Sequence, residues 1–381
     1  MAQNKAFAVF RPDLIAALPF WLSLGLVPLT WAAAIYGGWW IAALPLSTWY
    51  LFSIIDAFAG LNEANPDPTT DDSQLFWYKL ITLIWLPVQT VTLFGIIAYV
   101  TTTGHLAVWE MLGLAFAMGV LSGTIGINYS HELMHQSPRV ERMMADMLLA
   151  MVLYSHFRSE HLLVHHRYVG TPRDPVTARY NEGFHRFFAR VIPGCFKSAL
   201  RAEAAMLARK GKPAWHLQNP FYRYAAWQLG FLALAFAVGG GWGLIMFGLQ
   251  AFMAVVQLEL VNYVEHYGLT RKHLGGGKYE HVLPRHSWNA SHRASNWLLI
   301  NLQRHSDHHY KPNRRFPLLQ NYAPGDAPQL PRGYPVMTMI ATIPPLWRRR
   351  MNPLVRDWRK QHYPEITDWA AYNTGSNPPP K

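Results

Sequence analysis

The stretch Tyr224-AAWQLGFLALAFAVGGGWGLIMFGLQAFMAVVQ-Leu258 runs for 35 residues without one Asp, Glu, Lys or Arg. A membrane span needs roughly 20 apolar residues. This run is too long for a single crossing, since as one helix it would reach about 52 Å against a ~30 Å hydrocarbon core. Gly239-Gly240-Gly241 near its middle offers a break. The stretch therefore reads as two spans joined by a glycine turn, near 224–238 and 242–263.

The same signature recurs toward the N-terminus. Leu14 to Ile55 gives 42 charge-free residues, Leu80 to Trp109 gives 30, and Met111 to Ser130 gives 20. Gly37-Gly38 divides the first run, and Thr101-Thr102-Thr103-Gly104 ends the third helix before the fourth begins. Four more spans follow, near 15–35, 39–58, 79–100 and 109–130. The run from Leu14 is expected to stay in the bundle, because a second apolar run continues directly from it, unlike a cleaved leader. The expected fold is all-α and integral to the membrane: a single domain with a six-helix transmembrane bundle. A cap of helices and loops, 131–223 and 264–370, and a tail, 371–381, complete it. Met143 to Phe157 is apolar but carries Asp146 and is too short to span, so it is read as a helix lying at or dipping into the interface.

Charge gives the orientation. The net charge of +12 raises nucleic acid as a partner, but its distribution argues otherwise. Six spans leave Tyr36–Gly38, Thr101–Val108 and Gly239–Gly241 on one side, and these hold no Lys or Arg. All 34 basic residues, from Lys5, Arg11 and Lys79 onward, fall on the other side. The positive-inside rule makes that side cytoplasmic, with both termini on it, and makes lipid headgroups rather than nucleic acid the partner of the charge. The sole cysteine, Cys195, excludes a disulfide framework and any cysteine-held zinc or iron centre within this chain. Charged residues at 15%, against about 25% in ordinary globular chains, with 16 Trp, exclude a disordered chain.

Nine of the 18 histidines fall in four groups on the cytoplasmic side: His131 and His135; His161, His165 and His166; His266; and His305, His308 and His309. Spacings of three and four residues put imidazoles on one helix face, so His131 with His135, His161 with His165, and His305 with His308 and His309 can converge. Imidazole nitrogen suits iron, zinc and copper, and nine exceed what one ion accepts, so two metals are implied. The site and the topology support each other, because a fifteen-residue crossing at 143–157 or a single crossing at 224–258 would split the histidines between the two faces. Glu132, Glu160, Glu265 and Asp307 each adjoin a histidine, and Asp174 follows the second group. Carboxylates there could orient the rings. His131-Glu132-Leu133-Met134-His135 also matches the zinc-protease pattern HExxH, but that site needs one further ligand and this chain offers seven. His156, His273, His281, His286 and His292 lack paired spacing and are left out of the ligand set.

The stretches His161 to Pro175, Asn262-Tyr-Val-Glu-His-Tyr-Gly-Leu269, Pro284-Arg-His-Ser-Trp-Asn289 and Leu302-Gln-Arg-His-Ser-Asp-His-His309 resemble the membrane alkane 1-monooxygenases over roughly residues 40–360. The second box here is HxxxHH, where membrane fatty-acid desaturases carry HxxHH. The resemblance implies a non-haem di-iron enzyme that uses O2 to hydroxylate the terminal methyl of an n-alkane. It also implies rubredoxin as electron donor, with an NAD(P)H-dependent rubredoxin reductase upstream, in the bacterial inner membrane. Desaturases, xylene-type aryl-methyl monooxygenases and a non-enzymatic metal carrier are the alternatives. An alkane offers no polar handle, so an apolar tunnel in the bundle should bind it. Candidates are Trp49, Leu51, Phe52, Ile55 and Phe58 on the second span and Trp85 and Leu86 on the third, with Trp49 as a length gate. For rubredoxin docking the candidates are Arg314, Arg315 and Arg348-Arg349-Arg350, headgroup contact being the alternative for the triple arginine.

Overall fold

The computed structural model describes residues 14–376. Lys5, Arg11 and the last five residues of the tail lie outside the described residues. Five helices are long and apolar enough to cross a membrane: α1 (Leu14–Tyr36), α2 (Trp39–Ala59), α3 (Asp72–Thr103), α4 (Val108–Met134) and α8 (Phe221–His266). Between α4 and α8 lie α5 (Arg139–Met151), α6 (157–168) and α7 (Phe184–Ala208). The short helices α9 (Arg293–Leu298), α10 (His305–Tyr310) and α11 (Tyr334–Ala341), then α12 (Pro344–His362), follow α8.

The last apolar run, expected to hold two spans, falls within α8, which breaks at Gly240 (φ 57°, ψ −144°). The chain reverses there. A Cβ on Gly243 would come within 2.1 Å of the Ala235 carbonyl oxygen, an approach no straight helix allows across eight residues. Phe94 of α3 accordingly stacks on both Phe231 and Phe247, one from each half. Gly37 turns α1 into α2 with nearly the same backbone, φ 60° and ψ −153°. These positive φ values suit glycine alone among common residues. The three turns meet at one end of the bundle. The Glu110 carboxylate accepts the amides of Gly38 and Ala107, both at 2.8 Å, and the Thr101 hydroxyl reaches the Val238 carbonyl at 3.4 Å.

Large apolar side chains such as Trp39, Phe58, Val91, Phe236 and Ile245 face outward on these helices, as a lipid solvent permits. The interior holds Trp85 edge-on to Tyr129, and Gly119 and Gly123 let α4 approach α8 closely. Helix α5 packs tightly against the bundle. Leu148, Leu149, Ala150 and Met151 are fully buried, and the Met151 carbonyl accepts from Gln250, 16 residues before His266 in α8. Asp146, the charge that marked this segment, is buried against Arg158 at 2.7 Å and Arg223 at 3.0 Å. A small antiparallel ribbon, His273–Gly275 with Lys278–Tyr279, departs from the all-α expectation. Gly275, Gly276 and Gly277, all at positive φ, form its turn.

Candidate metal centre

Each histidine-bearing element is held by polar contacts of its own. At the start of α10, the buried Arg304 guanidinium donates to the carbonyls of Leu319, Ala64 and Asn62 at 2.7–3.1 Å. Asn289 accepts the Ser306 amide at 2.9 Å. The preceding helix α9 is tied to the bundle by Asp56 of α2, which accepts the amides of Ala294 and Ser295. These bonds fix the otherwise marginal six-residue α10 against the loop after α2 and the segments at 289 and 319.

The nine histidines gather into two groups. His131, His135, His161, His166 and His308 form one, and His165, His266, His305 and His309 the other, with the ligand atoms of each group within 4.8 Å of one another. None of His156, His273, His281, His286 or His292 enters either group. His286 instead is buried against Tyr363 and Glu280.

Two pairings differ from the straight-helix expectation. His161 meets His166, not His165, because 161–165 is a π-turn. In an α-helix, positions i and i+5 point about 140° apart, and the wider turn closes most of that angle. His308 likewise leaves His305 and His309 for the first group, so α6 and α10 each contribute to both.

The nitrogens are spaced for metal, not for each other. His161 Nε2 lies 2.9 Å from His131 Nε2, 3.1 Å from His135 Nε2 and 2.9 Å from His166 Nε2. One imidazole nitrogen is either a donor or an acceptor and cannot satisfy three others. In the second group His305 Nε2 stands 3.1 Å from that of His266 and 3.0 Å from that of His309. Ligands ~2.1 Å from an ion stand about 3.0 Å apart on adjacent octahedral corners, against about 3.4 Å in a tetrahedron. Each group is compact enough for its nitrogens to be neighbouring ligands of one ion. Burial, reinforced by neighbouring imidazoles, holds His135, His161, His166, His305, His308 and His309 well below the usual histidine range, which keeps them neutral and able to ligate.

Only two of the expected carboxylates reach a ring. Asp174 Oδ2 is 3.0 Å from His165 Nδ1, and Glu265 Oε1 is 3.2 Å from His305 Nδ1. Asp307 instead accepts from Tyr322 and the Gln320 amide and pairs with Arg314, which anchors the loop after α10. Glu132 turns to Gln136 and the Phe316 amide, away from where a zinc-protease base would stand. Glu160 is fully buried, and neither of its oxygens has a hydrogen-bond partner among the described residues.

An apolar-walled cavity leads from Trp49, Thr124 and Gln257 to His131, His161 and His305. Sequence reasoning missed Thr124, Asn128, Gln257 and Tyr334 in its lining; for the first three, polar residues inside charge-free spans were the available signal.

A fatty acid desaturase family model matches residues 107–341. The chain is 37% identical over 365 residues to alkane 1-monooxygenase 2 of Pseudomonas aeruginosa, covering 87% of this chain and 95% of that one. It is 39% identical over 325 residues to alkane 1-monooxygenase 1 of Alcanivorax borkumensis, covering 84% and 80% respectively. The chain belongs to the alkane 1-monooxygenase family. A more distant relative is the xylene/toluene monooxygenase hydroxylase component of Pseudomonas putida, 30% identical over 334 residues and 86% of each chain.

Within this alkane 1-monooxygenase family member, the other expected site residues divide sharply. Trp49 lines the cavity, its Nε1 3.3 Å from Gln257 Oε1 and its ring edge-on to Phe116. Phe52, Ile55, Phe58 and Trp85 do not line it. Phe58 is 88% exposed on the outer face of α2, and Trp85 is buried with its Nε1 on Gln89. Leu51 is exposed, and Leu86 also lies off the cavity. Arg315 is not a free docking cation. It clamps Glu141 through two bonds of 2.8 and 3.0 Å and also pairs with Asp72. Arg314 is engaged by Asp307 and Arg348 is half-buried, which leaves Arg349 and Arg350 exposed.

Proposed function

We propose that this protein hydroxylates the terminal methyl of n-alkanes, consuming O2, two electrons and two protons to give a primary alcohol and water. The observation that carries this reading is an apolar cavity ending on two groups of neutral imidazoles, in a chain of the alkane 1-monooxygenase family. The nine histidines would hold two iron ions, and bound iron would supply the oxygen activation that no side chain can.

The chain's own residues would place and exclude. Asp174 would fix the orientation of His165 by hydrogen-bonding its Nδ1, so that Nε2 points inward, and the Glu265 carboxylate stands 3.2 Å from His305 Nδ1. The cavity binds the chain by burial, worth ~0.8 kcal/mol per CH₂, and presents its end to His131 and His161. Buried walls keep bulk water from the reacting methyl.

The proposed topology has six crossings in the bacterial inner membrane, with the histidines and both termini cytoplasmic. Turns without Lys or Arg gathered at the far end support it. Rubredoxin would deliver electrons on the cytoplasmic side, and Arg349 and Arg350 are the exposed cations offered for its docking. The test is to purify the protein with its metal, count iron, and supply octane with rubredoxin, rubredoxin reductase and NADH. About two irons per chain and 1-octanol are expected, given that nine imidazoles exceed one ion's capacity. Zinc without oxidation would overturn the reading, and p-xylene as the preferred substrate would move it to the aryl-methyl class.

A further inference from the structure

A second recess lies behind the metal centre, between the loop at 170–180, helix α7, the residues after α8 and the tail near 372–375. Its volume is about 280 Å³, and Arg173, Arg179, Arg190, Lys197 and Arg201 all line it. Four of these cations lack a carboxylate partner. Arg190 pairs with Glu182 at 2.9 Å, whereas Arg173, Arg179, Lys197 and Arg201 form no ion pair among the described residues. The acid in the wall, Asp174, is already engaged by Thr177, the Val176 amide and His165. The five cations outnumber Asp174 in the wall and Glu182 beside it, so the recess carries a net positive charge. An independent feature points the same way: the Thr270 hydroxyl in its wall is shielded from solvent and has no hydrogen-bond partner.

We propose that this recess binds a phosphate group. Guanidinium matches phosphate through paired N–H donors, and Arg173 and Arg179 can approach one oxyanion from the loop while Lys197 and Arg201 approach from α7. Arg190, Lys197 and Arg201 share one face of α7 at spacings of seven and four residues. The recess is concave and has room for a small anion with part of its hydration, which suits a tetrahedral anion better than a protein surface. Two sources carry that chemistry. Phe196 and Leu200, exposed on α7 beside Lys197 and Arg201, fit the apolar face of an interfacial helix and so an anionic lipid headgroup. Free inorganic phosphate reaches the same cations from the water side.

The test uses the full chain in phosphatidylcholine nanodiscs. Inorganic phosphate is titrated calorimetrically, and phosphatidylglycerol retention is measured by native mass spectrometry. Saturable binding of either probe at one per chain is expected. It should weaken by about tenfold or more in the exposed double variant Lys197→Gln/Arg201→Gln, and also in Arg173→Gln, but not in the control Lys210→Gln. Retained phosphatidylglycerol with weak phosphate binding assigns the lipid as the source, and the reverse assigns the free anion. Binding of neither probe, equal binding by the variants, or protection of the recess only by an acidic protein would overturn the proposal.

Discussion

Arg315 shows how a surface cation in the sequence becomes a structural tie. Its guanidinium bridges Glu141 at the start of α5 and Asp72 at the start of α3, while the next amide, of Phe316, donates to Glu132 at the end of α4. Removing one partner of a buried pair strands the other and costs ~3–5 kcal/mol. Arg315→Met should therefore lower the thermal midpoint of the purified protein markedly. Adding Glu141→Gln to that variant should recover part of the loss, because the stranded charge is gone. If Arg315→Met melts normally but loses its response to rubredoxin, the side chain is a docking residue after all. Trp49 carries the opposite expectation. It sits at the far end of the cavity from His131, so Trp49→Ser should admit longer alkanes, each added CH₂ bringing ~0.8 kcal/mol of burial. Gas chromatography of the alcohols formed from an alkane series reads this, and an unchanged longest substrate would remove Trp49 as the gate.

At the scale of elements, the π-turn at 161–165 decides which histidines fall in one group. The sequence His161-Leu-Leu-Val-His165-His166 has one more residue than HxxHH, and the wider turn absorbs it, keeping His161 and His166 on one side. Deleting Leu162 should convert the turn to plain α-helix and leave His161 and the following pair at i, i+3 and i+4, which still share a face. Metal content by mass spectrometry should then stay near that of the parent chain. Inserting an alanine after Leu162 should instead lose the first group's metal, because no regular helix closes a six-residue spacing. Loss of metal in the deletion would show that the extra residue itself is required. Spacing alone displayed the histidines as ligand candidates but not their partition, since a π-turn leaves no mark in a run of Leu and Val. The carboxylates were half legible for a related reason. Adjacency in sequence put Glu132 and Asp307 beside ligands, yet on a helix the neighbouring residue points about 100° away, toward the packing rather than the metal.

For the whole molecule, the spans were readable because a lipid-facing helix must exclude charge, and the glycine turns were readable because reversal needs positive φ. The part between His266 and α12 was not, because its helices are six to eight residues long and are positioned by side chains such as Arg304, Asn289 and Asp56, whose partners are distant in sequence. That difference has a consequence for stability. The two metal groups draw on α4, α6, α8 and α10, and both α6 and α10 enter both groups. Bound metal would thus cross-link the bundle to its cap, while removing it leaves imidazole nitrogens about 3 Å apart with nothing between them. A ligand present at 1,000 times its Kd stabilises the form it binds by ~4 kcal/mol. Stripping the protein with a strong chelator should therefore lower its thermal midpoint and expose the segment from 284 to 310 to protease, while α1 to α4 stay protected. Restoring ferrous iron under anaerobic conditions should reverse both changes. Equal melting of stripped and loaded protein would mean that the cap is held by its own hydrogen bonds, and that the histidine groups contribute chemistry without holding the fold together.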